Sequence, residues 1–495
     1  MYGSLKRFAV AALLGAGLTG CSDFLSGPSV SQDPNNPTTD VASVDNLFVG
    51  VQATQFSTFA MSTLTMTVCG YMQQCKGGEG TGRFVEAQLN QYQMTPQTFP
   101  AQWNQTYGTG GLRDLRLARQ KLEARSVRDP LYEGITKVWE AIIVSHAADV
   151  WGDIPYSEAV RDDVPQPKLD NQLTIYNALL TLLDQALGQI ADPSGVGPGP
   201  ADLVYGGDAA AWTALAHTLK ARIYLHTVRA NCSTLSGCPV YTNVITEATQ
   251  GLPVDGSLDF NAVVSGASTL EQNYWFQFYT VSGFGNDLRA GDFIVNLMAG
   301  PSTVPPNPAG RNDPRFTQYF ARPEECGFAA SSFASFGYMI GSCRASTNQR
   351  WITGDENALM LAEAYFNTGQ TAQAATQLNA VRAKYSTSSN PLPPIASPTL
   401  QDIMLEKYVA LFQTLEVWSD WKRTCIPALT PTGDQGPVPG IPRRGFYGQQ
   451  EFDNNRNIPS ASDQVGSGGV QTDGTPVNLP GFRNKNDPPP PQGCA

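Results

Sequence analysis

Two short stretches carry residue types that suit a polar, ring-bearing ligand. Gln102-Trp103-Asn104-Gln105-Thr106-Tyr107 sets two aromatics among amides, and Gln272-Asn273-Tyr274-Trp275-Phe276-Gln277-Phe278-Tyr279 does so more densely. Sugars present apolar C–H faces ringed by hydroxyls, so their sites need exposed aromatic platforms with Asn, Gln, Asp or Arg at the rim. Exposed rings are otherwise a liability. On that chemistry Trp103, Tyr107, Tyr274, Trp275 and Tyr279 are the candidate ligand-binding residues, each against the competing reading of a core aromatic. Trp139, Trp212 and Trp418 lie on apolar helical stripes and are assigned to the core.

Catalytic constellations are nearly absent. The chain has no His-Glu-x-x-His, Gly-x-Ser-x-Gly or Walker-type glycine loop, and only 3 His in 495 residues. The cluster Gly78-Glu79-Gly80-Thr81-Gly82 follows no strand signal and reads as a loop. Asp149, Asp153, Glu158, Asp162 and Asp163 offer oxygens for Ca²⁺ or an acid/base pair, but their spacing matches no EF-hand loop. No catalytic residue, metal or cofactor is therefore expected.

The chain is acidic, with 32 Lys+Arg against 43 Asp+Glu and a net charge of −11. It lacks the clustered cations that nucleic-acid phosphates demand. With 47 Gly and 36 Pro, much of it must be loop. Residues 1–20 read as an export signal: Lys6 and Arg7 precede an apolar run, Phe8 to Leu18, too short to span a bilayer. The run ends in Leu18-Thr19-Gly20-Cys21, which resembles a bacterial lipobox. That likeness makes Cys21 the lipidation site, and Ser22 after it permits export to the outer membrane. Eight other cysteines remain: Cys69, Cys75, Cys232, Cys238, Cys326, Cys343, Cys425 and Cys494. None has zinc-type spacing. Four disulfides suit an oxidising compartment, three of them local clips, with connectivity left open by the sequence.

Residues 21–41 form a polar tether, and 42–495 are expected to be one domain. A helix is predicted from about Ser43 through Met61. Another carries Leu112, Leu115 and Leu122, with Arg113, Arg116, Arg119 and Arg125 read as a solvated face. Apolar residues at Ile135, Val138, Trp139, Ile142, Ile143 and His146 predict a helix that Gly152 stops and Pro155 keeps from resuming. Asp149 in its last turn opposes the macrodipole and calls for backbone N–H groups or a nearby cation. Asp170 and Asp208 read as N-caps of two further helices, and Thr399 with Asp402 as a capping box. Residues 231–350 lose helical periodicity and read as long loops with short hairpins. Helices return at Gly354–Tyr365 and after Asn367-Thr368-Gly369-Gln370, the layout of a tetratricopeptide-type hairpin. The fold class is thus all-α: helix pairs over about 42–230 and 351–425, with a loop-rich, ligand-side region over about 231–350 and 426–495.

Taken in order, these pieces resemble the SusD/RagB family of outer-membrane nutrient-binding lipoproteins. The marks are Cys21 and the loop Trp151-Gly152-Asp153-Ile154-Pro155-Tyr156-Ser157-Glu158-Ala159, then Leu219-Lys220-Ala221-Arg222 and Asp313-Pro314-Arg315-Phe316. Leu361-Ala362-Glu363-Ala364, Glu406 to Trp418, Arg423, Arg443-Arg444, Glu451 and Asn454 to Asn457 complete them. The resemblance implies four tetratricopeptide-like helix pairs and a lipid-anchored, surface-exposed, non-enzymatic protein. It also implies a partner, a SusC-like TonB-dependent barrel, over which the protein acts as a lid delivering an oligosaccharide or a peptide. The loop at Trp151–Ala159 is expected to be architectural, with binding left to the aromatic loops. The opposing hypotheses are a surface glycan-active enzyme and a structural envelope protein.

Overall fold

The computed structural model describes residues 42–77, 89–90, 92, 94–268, 271–280, 288–299, 313–321, 339–340, 345–431 and 440–460. Cys21, Cys326, Cys343 and Cys494 lie outside them, as does the side chain of Tyr279. In chain order the first elements are α1 (Val44–Gln55), a π-helical turn (Phe56–Ala60), α2 (Thr63–Tyr71) and β1 (Cys75–Gly77). Six helices follow: α3 (Pro100–Tyr107), α4 (Leu112–Glu123), α5 (Pro130–Trp151), α6 (Gln172–Ile190), α7 (Ala209–Asn231) and α8 (Val240–Ala248). The middle holds β2 (Phe260–Ala262), α9 (Tyr274–Thr280), β3 (Leu288–Ala290), α10 (Asp292–Ala299), β4 (Phe320–Ala321), β5 (Met339–Ile340) and β6 (Gln349–Ile352). The last helices are α11 (Gly354–Asn367), α12 (Thr371–Tyr385), α13 (Leu400–Ala410), α14 (Glu416–Thr424) and α15 (Gln449–Asn454).

Helix α5 is the axis of the molecule. Asp129 caps it by accepting from the amide of Tyr132 at 3.2 Å, and Pro130 starts it with a preset φ. Nearly every residue along it is buried, so it reads as apolar all round and sits centrally. Gly152, at φ 81°, ends it as expected. Helix α6 folds back against α5, and a Cβ on Gly134 would sit 2.8 Å from Cγ1 of Ile190, so only glycine permits this approach. Helices α7 with α8 and α11 with α12 make further pairs, and α8 packs directly on α11 across the irregular middle segment. The mainly helical, tetratricopeptide-like architecture is thus present. A ring cluster of Phe56, Trp139, Trp212, Phe260 and Trp351 fills the centre. Trp418 is buried as well.

The strands described are short antiparallel pairs, β1 with β3, β2 with β6 and β4 with β5. The β1–β3 and β2–β6 pairs join segments distant in sequence, whereas β4 and β5 are consecutive strands. Disulfides Cys69–Cys75 and Cys232–Cys238 clip α2 to β1 and the end of α7 to the start of α8. Cys425 is disulfide-bonded too. No described helix is long and apolar enough to cross a membrane.

Four expectations need correction. The first helix stops at Gln55 and gives way to the π turn. The N-cap of α6 is Asn171; Asp170 instead accepts from the amides of Tyr156 and Ser157 at 3.0 and 2.7 Å, stapling the loop after α5. The arginine run is a solvated face only in part: Arg113 and Arg125 are exposed. Arg116 and Arg119 both turn inward to Glu140 on α5, whose carboxyl they hold below its ordinary pKa. Finally, residues 231–350 contain α8, α9 and α10, helices of seven to nine residues too short to impose a visible period.

Candidate functional site

A cleft of about 510 Å³ opens where α3, the loop after α5 and α15 converge. Helix α3 supplies Trp103, Asn104 and Tyr107 to it; the loop supplies Pro155, Val160, Arg161, Asp162, Val164, Pro165 and Pro167; α15 supplies Glu451. Its position follows from local folding. Pro100 starts α3 and Gly108 closes it, so Trp103, Asn104 and Tyr107 project near one helix end. The loop is fixed by Asp170 and by a Glu158–Lys168 pair at 3.1 Å.

The C-terminal segment completes the wall. The amide of Gly445 donates to the carbonyl of Val150 at 2.7 Å, and the Tyr447 hydroxyl donates to the carbonyl of Asp153 at 2.6 Å. Asn455 is buried and donates through Nδ2 both to the Pro167 carbonyl, at 2.8 Å, and to Glu451 Oε1, at 3.0 Å. Asn457 Nδ2 donates to the Gln166 carbonyl at 2.8 Å. Asn104 Nδ2 donates to Gln450 Oε1 at 3.0 Å, leaving an amide-rich rim.

Trp103 and Tyr107 come together here, with ring centroids 5.2 Å apart. Trp103 is only 2% exposed and packs in T-shaped contacts with Trp151 and Tyr447, so it is a core aromatic and not an exposed platform. Tyr107 is half-buried and donates its hydroxyl to the Pro155 carbonyl at 3.0 Å. Burial and the nearby Glu451 carboxylate push that hydroxyl well above its ordinary pKa, so it stays a donor. Neither Tyr274 nor Trp275 of the second predicted stretch lines this cleft. Trp275 is 1% exposed, its amide bonded to Asn273 Oδ1, and half-buried Tyr274 lies against it edge-on. Trp275 therefore serves packing and is no exposed platform.

The acidic group is dispersed. Asp153 caps Gln172, Asp163 pairs with Arg161 at 2.6 Å, and Asp162 lines the cleft. Asp149 is buried, 2.9 Å from His226 Nδ1, while His226 Nε2 lies 2.8 Å from Glu416 Oε1. Two carboxylates raise the His226 pKa to about 10, against its burial, so a buried imidazolium is the cation Asp149 called for. Among the described residues this is the one His/carboxylate group spaced for a metal. With each ring nitrogen facing its own carboxylate, it serves as an ion-paired staple between α5, α7 and α14. Glu451 and the loop valines were not singled out as ligand residues, because nothing in sequence spacing links them to Trp103.

A second cleft, of about 590 Å³, is walled by Pro391 to Ile395 and floored by Arg315, Arg382 and Glu406. Its cations are tied internally, Arg315 to Asp313 at 2.6 Å and Arg382 to Glu406 at 2.9 Å.

The family model described as SusD-like, starch-binding associating with outer membrane, matches residues 34–336. No curated protein matches. Among solved structures, one named a chitin-binding protein is similar at TM-score 0.64 and 17% identity, covering 87% of this chain and 99% of its own. A SusD homologue from Bacteroides fragilis NCTC 9343 has TM-score 0.64 and 17% identity over 90% of this chain and 100% of its own. A SusD/RagB family protein from Bacteroides thetaiotaomicron VPI-5482 has TM-score 0.60 and 18% identity, over 84% and 95%. At such identities the structural likeness establishes the fold, and the family model establishes kinship: the chain belongs to the SusD-like family, described as starch-binding and associating with the outer membrane.

Proposed function

We propose that this protein is a non-enzymatic lipoprotein that captures an oligomeric nutrient, foremost an oligosaccharide, in the cleft beside Trp103. It then delivers the ligand, as a lid, to a SusC-like TonB-dependent barrel. Cys21 carries the lipid anchor, which holds the body on the outer-membrane surface. The observation that carries the binding reading is the convergence of Trp103, Asn104, Tyr107, Asp162 and Glu451 from three separated segments on one cleft. Aliphatic walls with a few placed amides, carboxylates and a phenol hydroxyl suit a ligand that alternates C–H faces with hydrogen-bonding groups. The family description, starch-binding, and one fold relative named as chitin-binding agree with that chemistry. The test is calorimetric titration of starch and chitin oligosaccharides and of short peptides, with affinity purification from outer membranes alongside. Oligosaccharide binding and a co-purifying barrel support the reading. Binding confined to peptides moves the ligand class, and purification without a barrel removes the delivery role.

A further inference from the structure

The charges around the Trp103 cleft are unevenly matched. Two cations line it, and each is occupied by its own carboxylate: Arg161 by Asp163 at 2.6 Å, and Arg113 by Asp114 at 3.2 Å, with Thr109 Oγ1 a further acceptor for Arg113 at 3.0 Å. Two carboxylates line it as well, and neither meets a cation among the described residues. Glu451 takes its hydrogen bonds from neutral donors, Trp103 Nε1–H on Oε2 at 3.2 Å and Asn455 Nδ2–H on Oε1 at 3.0 Å. Asp162 is exposed at the rim without a cationic partner among the described residues. With those partners counted, the two arginines face four carboxylates, Asp114, Asp163, Asp162 and Glu451, in a chain that is itself at −11.

Resting on the cleft as the ligand site, we infer that it selects uncharged oligosaccharides over carboxylate-bearing ones, with Glu451 as the specificity-determining residue. The two neutral donors fix the Glu451 carboxylate in place without cancelling its charge. Each of its oxygens retains acceptor capacity that a hydroxyl or acetamido N–H can use. A ligand carboxylate in the same position would meet like charge and lose water without a replacement donor. A ligand carboxylate would have to compete with Asp163 and Asp114 for the two arginines.

The test is titration of the mature full-length lipoprotein in detergent with matched pairs. Maltoheptaose and chitohexaose are each compared with their C6-oxidised forms, in which neutral carbinols have become carboxylates. The inference expects whichever neutral probe binds to lose about tenfold or more in affinity on oxidation, less so at high ionic strength. Glu451→Gln should narrow that ratio with its melting temperature recorded alongside, and Asp162→Asn, at an exposed position, should narrow it by a smaller factor. Equal or tighter binding of the oxidised form, or a ratio unmoved by both substitutions, overturns the inference while leaving the cleft as the site. Absence of binding by all four probes overturns the glycan reading and the inference together.

Discussion

The indole N–H of Trp103 donates to Oε2 of Glu451 at 3.2 Å, joining residues 348 positions apart. Through this bond the helix that carries the aromatic pair is tied to the C-terminal segment that closes the cleft. Trp103→Phe keeps most of the packing and removes the donor. It should cost about 1 kcal/mol for the lost bond, since Glu451 keeps Asn455 and faces the open cleft, whereas Trp103→Ala should cost about 3–5 kcal/mol. Trp275→Ala should cost a similar amount, since that ring is equally buried. Urea midpoints of the three variants check the ordering, and a Trp275→Ala variant as stable as the parent would contradict the burial.

The aromatic pair was legible in sequence because amides flank it; its exposure was not. A Trp among Gln and Asn has the composition of a binding platform, yet long-range packing on Trp151 and Tyr447 decides that its ring lies inside. The helical scaffold could be read from period alone where helices are long, as in α5 to α7, and was missed where α8 to α10 run only two turns between Gly and Pro. Asp149 stood out as a carboxylate at the wrong helix end, but His226 lies 77 positions away and no local rule could name it. The loop after α5, expected to be purely architectural, is both staple and cleft wall.

Buried ionisable groups set opposing pH dependences. His226 has its pKa raised from 6.5 to about 10 by Asp149 and Glu416, so its contribution is complete below pH 6.5 and is lost as pH rises through 10. His146 is lowered from 6.5 to about 4, chiefly by burial, and Glu363 from 4.5 to about 2 by Arg423 and Lys407. Their contributions are present above 6.5 and 4.5 and fade as pH falls through 4 and 2. Unfolding free energy should therefore peak near neutrality and decline by several kcal/mol toward pH 10. His226→Gln should flatten the alkaline limb, and an unchanged limb would show that His226 is not charged in the fold.

The Cys69–Cys75 and Cys232–Cys238 disulfides each join cysteines separated by six positions. The Cys69→Ser, Cys75→Ser double variant should lose about 2 kcal/mol, the loop-closure value for so short a ring. Peptide mapping without reductant should recover both bonds as paired here.

Anchoring is tested by Cys21→Ala, which should move the protein from the membrane fraction to the soluble one. Continued membrane retention would exclude lipidation at this residue as the sole anchor.

The central claim, that the cleft beside Trp103 holds the ligand, is tested most directly by Asn104→Trp. Asn104 is exposed on the cleft rim, so the bulkier side chain fills the opening with little effect on the core. Calorimetric titration of the bound oligosaccharide should show affinity reduced at least about tenfold, a cost of about 1.4 kcal/mol, with an unchanged melting temperature. Affinity equal to that of the parent would place the binding site elsewhere.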